Sequence, residues 1–312
     1  MNALLSIRNI RAFMVAHPPR ISPFDYLIPC GRGDTLGGHN TLSATRIITT
    51  EQENTMKLPR FTWKRLLAVI GLVILIALAG FVIWASMTNP IMPRAEADLQ
   101  SDATVNVVTE SGFIGFGGYI AFEPQQTVPQ AGLVLYPGGR VQAAAYAPIA
   151  RAIAEAGYIS VIVHAPLNLS LFNSGAARGV MNAYPDVGAW VVGGHSLGGV
   201  AASRFANGNA DDLAGLVLLA SVPFPGLSLN ERDDLRVVSI YAELDGLLSV
   251  ADVLESRDDL PAGTRFIEIA GGNHAYFGWY GDQSGDNPAT ISREQHTAQT
   301  VQAILDLLEE IE

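Results

Sequence analysis

The sequence predicts an α/β protein in which helices cover both faces of a mostly parallel central sheet, preceded by one N-terminal transmembrane helix. Residues 66–85 form an apolar run without a charge, and short apolar segments alternate with helical patterns over residues 104–312. Fully apolar strands separated by helices are typical of a parallel sheet that is buried on both faces. The third observation is a Gly-x-Ser-x-Gly string at the junction of one such strand and the following helix.

Composition and charge exclude several classes of protein. The chain has 312 residues, of which 49% are hydrophobic and 16% charged, so it is not a disordered protein. Its net charge of −11 argues against nucleic-acid binding, which requires a basic surface. The charge is divided unevenly, with +5 on residues 1–97 and −16 on residues 98–312. The single cysteine, Cys30, excludes an intramolecular disulfide and a multi-cysteine zinc site.

Residues 1–55 show no sustained hydrophobic periodicity and have two open interpretations. Met56 opens a short basic stretch typical of a signal anchor, so we expect the natural protein to begin there. The alternative is a disordered cytoplasmic tail, and the intact mass of the natively expressed protein distinguishes the two. After this region we predict a signal anchor over residues 56–88, a linker over 89–103 and a soluble domain over 104–312.

Leu66–Ala85 matches the roughly 20 residues that a helix needs to cross the core of a bilayer. Four basic residues precede it: Lys57, Arg60, Lys64 and Arg65. Only Arg94 follows closely, so the positive-inside rule places the N-terminus in the cytoplasm and the soluble domain outside. A cleaved signal peptide is the competing interpretation, but the nearest small-x-small site, Ala95–Ala97, lies about ten residues beyond the run. A buried core helix is the other alternative.

The soluble domain begins with a predicted β-hairpin, Thr104–Val108 and Gly118–Phe122, whose strands are separated by a Gly-rich turn. The further predicted strands are Gly132–Tyr136, Tyr158–His164, Ala189–Gly193, Leu213–Ala220, Arg236–Tyr241 and Thr264–Ile269. The predicted helices are Ala143–Ala156, Gly175–Tyr184, Leu197–Asn207, Val250–Arg257 and Ser292–Ile311. Because strands and helices alternate after the hairpin, the sheet is expected to be mostly parallel.

The Gly-x-Ser-x-Gly string, residues 194–198, places Ser196 on a predicted strand-to-helix turn. A serine on such a tight turn has strained backbone angles, so the residues two positions on either side, Gly194 and Gly198, must be small. The helix N-terminus offers N–H groups and positive potential to an oxyanion. The alternative is a chance Gly/Ser turn, but such a turn does not require this strand and helix.

A serine nucleophile needs a base, and the base needs a carboxylate to orient it. In a fold of this kind the expected chain order is serine, acid, histidine, each at the carboxyl end of a strand. Asp245 directly follows one predicted strand, and His274 directly follows the next. Glu243 remains an alternative to Asp245. His296 is expected on a solvated face of the last helix, and neither it nor His195 is expected to act in catalysis.

The second half of an oxyanion hole should come from the loop after the first central strand, which contains Gly138 and Gly139. Gly139 is the preferred donor, paired with the N–H of Leu197, and losing one such donor typically costs about 10²–10³ in rate. The alternative is an ordinary Gly turn into a helix. Arg140, which follows, either reaches a substrate carboxylate or caps the surface.

Taken together, the segments 133–139, 194–199, 241–246 and 272–274 resemble the α/β-hydrolase superfamily. The compact, cap-less dienelactone-hydrolase-like subgroup is closest, and residues 281–293 also resemble sequences that follow its catalytic histidine. The resemblance covers about residues 104–312. Dienelactone hydrolases proper use a cysteine nucleophile, so the serine here means that their specificity does not carry over.

The resemblance implies that Ser196 attacks an acyl carbonyl, that His274 takes its proton and that Asp245 holds the imidazole. It implies an oxyanion hole of Leu197 and Gly139 and no metal or organic cofactor. The protein is then expected to be a membrane-anchored serine hydrolase of a small-molecule carboxylic ester or related acyl bond. The alternatives are an acyltransferase with the same triad and an inactive binding module.

The candidate substrate-binding residues are Tyr276 and Phe277, two aromatic residues close to His274 in the sequence. They are expected either to line an apolar acyl or alcohol pocket or to pack the last helix. The short segment 221–236 predicts no large lid, so the site is expected to be open.

Overall fold

The computed structural model describes residues 62–113, 115–209 and 212–312. The chain divides into two units, Met1–Arg60 and Phe61–Glu312, and all described residues belong to the second. The two interpretations of residues 1–55, and Cys30, therefore lie outside the described residues.

One eight-stranded sheet organises the domain. Its strands are β1 Val105–Glu110, β2 Tyr119–Pro124, β3 Ala131–Tyr136, β4 Ile159–Val163, β5 Ala189–His195, β6 Gly215–Leu219, β7 Arg236–Ala242 and β8 Arg265–Ile269. They lie in the order β1-β2-β4-β3-β5-β6-β7-β8. β2 is antiparallel to β1 and to β4, and all other neighbours are parallel. The predictions of an N-terminal hairpin and a mostly parallel sheet are confirmed.

Helices cover both faces of this sheet. The helices of the described residues are α1 Trp63–Ser86, α2 Pro93–Ala97, α3 Ala147–Glu155, α4 Ala176–Ala183, α5 Leu197–Gly208, α6 Val250–Glu255 and α7 Arg293–Ile311. The exposed helix α1 is not one of those that cover the sheet. Side chains alternate across a strand, so Leu135 of β3 packs in the cluster that contains α3 and α7, whereas Tyr136 packs in the cluster that contains α4 and α5. A strand that is apolar at every position is thus buried on both sides, as the sequence predicted.

Two helix starts differ in their local chemistry. The predicted helix over residues 143–156 begins as the 3-10 turn Ala143–Tyr146, and α3 follows with Pro148 in its first turn, where a missing N–H costs no helical hydrogen bond. At α7, the Ser292 hydroxyl accepts from Gln295 N at 3.1 Å while Gln295 Oε1 accepts from Ser292 N at 3.0 Å. This capping box fixes the start of the last helix within one residue of its prediction.

In the part of the chain that the structure describes, α1 is the one helix long and apolar enough to cross a membrane. It has 24 residues, and its most apolar stretch of 18 residues has a mean hydropathy of 3.2 and is not buried. A core helix or a signal sequence also meets the length and composition test. Ala85 in its last turn is fully buried against the domain. Residues 87–92, the exit segment, then cross the domain surface, and Met92 N donates to Trp279 O at 2.9 Å. The short helix α2 that follows was not predicted.

Candidate active site

Ser196 lies in the sharp turn between β5 and α5, with backbone angles φ +52° and ψ −121°. A non-glycine residue with such a φ is strained and persists only where its surroundings fix it. Ser196 N donates to Leu219 O at 2.9 Å, and the Ser221 hydroxyl donates to Ser196 O at 2.7 Å. Hydrogen bonds from strand β6 and the loop after it therefore hold the serine in this conformation.

The glycines around Ser196 are sterically required. A Cβ atom at Gly194 would lie 2.2 Å from the carbonyl carbon of Gly198, and one at Gly198 would lie 2.1 Å from the carbonyl oxygen of Tyr136. Both contacts are with backbone, which cannot move aside. The turn thus has the geometry that the spacing of small residues predicted.

Asp245 and His274 form a buried pair at the ends of β7 and β8. His274 Nδ1 lies 2.7 Å from Asp245 Oδ2, and each side chain is only 2% exposed. The other carboxylate oxygen, Oδ1, accepts from the amides of Leu247 and Leu248, both at 2.8 Å. Because the carboxylate accepts, His274 carries its proton on Nδ1 and leaves Nε2 as a basic nitrogen.

His274 is positioned beside the serine turn. Its ring centroid lies 4.6 Å from that of His195, the residue before Ser196. Within the described ranges, His274 Nε2 is buried and has no hydrogen-bond partner, and no bond joins it to Ser196. Such bonds are often long or poorly aligned before a substrate binds and tighten in the Michaelis complex.

The two alternative residues have other partners. Glu243 Oε2 accepts from Gly271 N at 2.8 Å, so this carboxylate is hydrogen-bonded to a backbone amide and not to His274. His296 is fully buried, and the expectation of a solvated face is wrong. The adjacent residues Glu294 and Gln295 are exposed, whereas Arg293 and Thr300, about one turn before and after His296, are buried on its face of the helix. Burial, followed by the Arg293 charge, lowers the pKa of His296 to about 4.

The loop after β3 presents a free amide next to the serine turn. Gly138 N donates to the Tyr146 hydroxyl at 2.9 Å, and Arg140 N donates to Asn168 O at 2.7 Å. Among the described residues, no partner accepts from Gly139 N. A Cβ at Gly139 would lie 3.2 Å from Leu197 Cδ2, so Gly139 and Leu197 are in contact. Leu197 opens α5, where the first amides have no acceptor within the helix.

Tyr146 and His195 support this loop, and sequence reasoning did not assign them that role. Because Gly138 N–H donates to the Tyr146 oxygen, the tyrosine proton is available to His195 Nδ1, which lies 2.8 Å away. Burial, together with the charges of neighbouring histidines, holds the pKa of His195 well below its usual value, so the ring is neutral and can accept. The pattern of the sequence carries no signal for a contact between residues so far apart.

Asp286 joins the two loops that carry the buried pair. Its Oδ1 accepts from Gly246 N at 3.0 Å and from His274 N at 3.3 Å, and its Oδ2 accepts from Ala275 N at 2.8 Å. Asp286 is not among the predicted site residues, although it lies in the stretch 281–293 that resembles the family.

Arg140 contacts the end of α1, and a contact with a substrate carboxylate stays a prediction. Its Nε and Nη2 donate to Met87 O at 3.1 and 2.7 Å, and its guanidinium carbon lies 4.9 Å from the Trp84 ring centroid. The residue next to Gly139 is therefore bound to the end of α1.

Tyr276 and Phe277 lie against the C-terminal helix. Phe277 is fully buried, with its ring 4.4 Å from His296 in an edge-on arrangement. The Arg293 guanidinium carbon lies 4.0 Å from the Tyr276 ring centroid. The structure thus places both rings as the packing alternative predicted, and a substrate contact for either of them stays a prediction.

Within the described residues, no group of three or more His, Cys, Asp or Glu side chains is arranged to hold a metal ion. The sequence model of the alpha/beta hydrolase family matches residues 132–298, which is more than half of the chain. No curated protein matches. Among solved structures, the crystal structure of a predicted CIB-like hydrolase from Thermoplasma acidophilum aligns with a TM-score of 0.49 and 13% identity, over 65% of this chain and 99% of that chain.

Proposed function

Because the chain belongs to the alpha/beta hydrolase family, we propose that it is a serine hydrolase that cleaves a carboxylic ester or related acyl bond through Ser196, His274 and Asp245. The observation that supports this most strongly is the buried His274–Asp245 pair, whose free nitrogen lies beside the strained serine turn. We also propose that the protein belongs to the compact, cap-less subgroup that resembles dienelactone hydrolases.

In the proposed first half-reaction, Ser196 Oγ attacks the acyl carbonyl while His274 Nε2 takes the hydroxyl proton. Asp245 holds the imidazole in the required tautomer and stabilises the imidazolium that forms. Collapse of the tetrahedral intermediate breaks the bond to the leaving alkoxide, which receives the proton from His274. The alcohol departs and an acyl-serine ester remains.

In the second half-reaction, His274 deprotonates a water molecule, which attacks the acyl-serine carbonyl. The second tetrahedral intermediate releases the carboxylic acid and returns the proton to Ser196. In both intermediates the amides of Gly139 and Leu197 donate to the oxyanion, and the N-terminus of α5 adds positive potential.

We further propose that α1 is an uncleaved membrane anchor, with the N-terminus in the cytoplasm and the catalytic domain outside. The length and hydropathy of α1 and the excess of basic residues before it support this orientation.

The test of the proposed chemistry is labelling of the full chain with a fluorophosphonate, which reacts with activated serines. The unsubstituted protein should be labelled and Ser196→Ala should not. Ser228→Ala, at an exposed serine away from the turn, is the matched control and should be labelled like the unsubstituted protein. Persistent labelling of Ser196→Ala, or no labelling of the folded unsubstituted protein, would remove the serine-hydrolase proposal. A series of p-nitrophenyl esters then defines the acyl chain length.

A further inference from the structure

The end of α1 lies at the same edge of the sheet as the candidate active site. The parallel strands β3 to β8 all end at this edge, where Ser196, Asp245 and His274 lie. Arg140, adjacent to Gly139, donates to Met87 O, and Asn168 Nδ2 donates to Ala85 O at 3.4 Å. The C-terminal end of α1 is therefore in direct contact with Arg140, the residue next to the proposed oxyanion donor Gly139.

Three exposed aromatic side chains, those of Phe113, Phe116 and Phe172, lie at this edge of the sheet. Beyond Met87, the exposed large apolar side chains of the described residues outside α1 are Phe113, Phe116, Val128, Phe172 and Leu254. Phe172, 53% exposed, lies with its ring 6.4 Å from that of Phe81 in α1. Its position continues the apolar surface of the helix onto the domain.

The turn between β1 and β2 lies at the same edge, because Tyr119 at the start of β2 pairs with Val163 at the end of β4. This turn carries Phe113 and Phe116, which are 81% and 49% exposed. A Cβ at Gly115 would lie 2.9 Å from Pro166, so the turn contacts the loop that also binds the end of α1.

The two segments that carry these rings contain no charge. Residues 98–312 hold 25 acidic residues, yet none of them, and no basic residue, lies in 111–118 or 165–177. Exposed phenylalanine rings in uncharged segments fit the boundary between headgroups and acyl chains, where the apolar side chains of membrane-surface proteins are buried. A protein partner is a weaker choice, because α1 already holds this edge close to lipid and so supplies a high effective concentration.

We propose that Phe113, Phe116 and Phe172, the aromatic collar, rest in the headgroup region around α1, and that the active site receives ester-bearing amphiphiles from the membrane. The inference rests on the proposed function for its chemistry and on the proposed anchor for its location. In this arrangement the ester enters from the bilayer side, across the loop that joins Gly139 to the end of α1.

Docking is tested without reference to activity. In a Cys30→Ser background, Phe172→Cys is labelled with an environment-sensitive fluorophore and the full chain is inserted into phosphatidylcholine vesicles. Val128→Cys is the matched control, because Val128 is 76% exposed in the turn before β3, at the opposite edge of the sheet. The label at 172 should emit at shorter wavelength and be quenched by lipids with brominated acyl chains. If aqueous iodide reaches the labels at 172 and 128 equally, the collar does not contact lipid.

Substrate source is tested with two esters, a long-chain fluorogenic ester embedded in the vesicles and water-soluble p-nitrophenyl acetate. Phe172→Ser should lower hydrolysis of the embedded ester by about tenfold, the loss expected for one well-placed apolar contact, and leave the soluble ester unaffected. Val128→Ser should change neither rate. Ser196-dependent hydrolysis of both esters with no effect of Phe172→Ser would overturn this inference alone. Absence of Ser196-dependent hydrolysis of either ester would instead overturn the proposed function.

Discussion

At the scale of single residues, both oxygens of the Asp245 carboxylate accept hydrogen bonds. Oδ1 accepts from the amides of Leu247 and Leu248, and Oδ2 accepts from His274. In Asp245→Asn the amide oxygen can still accept from Leu247 and Leu248, but its NH₂ group faces His274 Nδ1. The histidine must then carry its proton on Nε2, where it cannot accept one from Ser196. We expect kcat on a p-nitrophenyl ester to fall about 10³–10⁴-fold with the fold intact.

Glu243→Gln is the control for this substitution. The glutamine oxygen can still accept from Gly271 N, and the His274–Asp245 pair is untouched, so kcat should stay close to that of the unsubstituted protein. A loss of kcat in Glu243→Gln as large as that in Asp245→Asn would contradict the assignment of the acid.

His296 should make the domain sensitive to acid. Its pKa is about 4 in the folded state and near 6.5 when unfolded, so the fold favours the neutral ring. The contribution to stability is complete above pH 6.5 and is lost as the pH falls from 6.5 towards 4, by up to about 3 kcal/mol. The measurement is thermal unfolding of the full chain in detergent at pH 7 and pH 4.5. In His296→Gln the difference between the two pH values should shrink, and an unchanged difference would show that other groups cause the acid sensitivity.

At the scale of elements, helix α5 offers two glycines with opposite surroundings. A Cβ at Gly198 would lie 2.1 Å from Tyr136 O, whereas a Cβ at Gly208, at the end of the same helix, would meet nothing within 4 Å. Gly198→Ala should therefore lower the unfolding temperature and abolish fluorophosphonate labelling. Gly208→Ala should preserve both, and equal effects of the two substitutions would refute the steric explanation.

The central strands β3 to β7 were predictable because each is a largely apolar run bounded by turns. The ends of the strands were predicted less well. The strand β5 was predicted to end at Gly193, but it continues through His195, which pairs with Leu219 and is buried. Ser196, Asp245 and His274 could be placed from the rule that side chains at the ends of parallel strands share one edge. The roles of Tyr146 and Asp286 could not be predicted, because they come from contacts between loops and helices that no local sequence pattern encodes.

At the scale of the whole molecule, the orientation of the proposed anchor decides which compartment contains the candidate active site. If the catalytic domain lies outside, protease added to intact spheroplasts should digest residues beyond the exit segment and leave a short membrane-protected fragment containing α1. The measurement is an immunoblot against a C-terminal tag, with a cytoplasmic protein as the control for lysis. Full protection of the tag, with digestion only after lysis, would reverse the orientation.

For a domain anchored in a membrane as we propose, the edges of the sheet matter. β8 is a five-residue edge strand with Arg265 and Glu268 on it, and Arg265 is paired with Glu310 at 2.6 Å. At the other edge, Asn106 of β1 donates to Glu123 at 2.8 Å. Short, charged edge strands are poor templates for a strand of another molecule. Copies that diffuse in two dimensions collide often, and these edges let them pass one another without joining their sheets into aggregates.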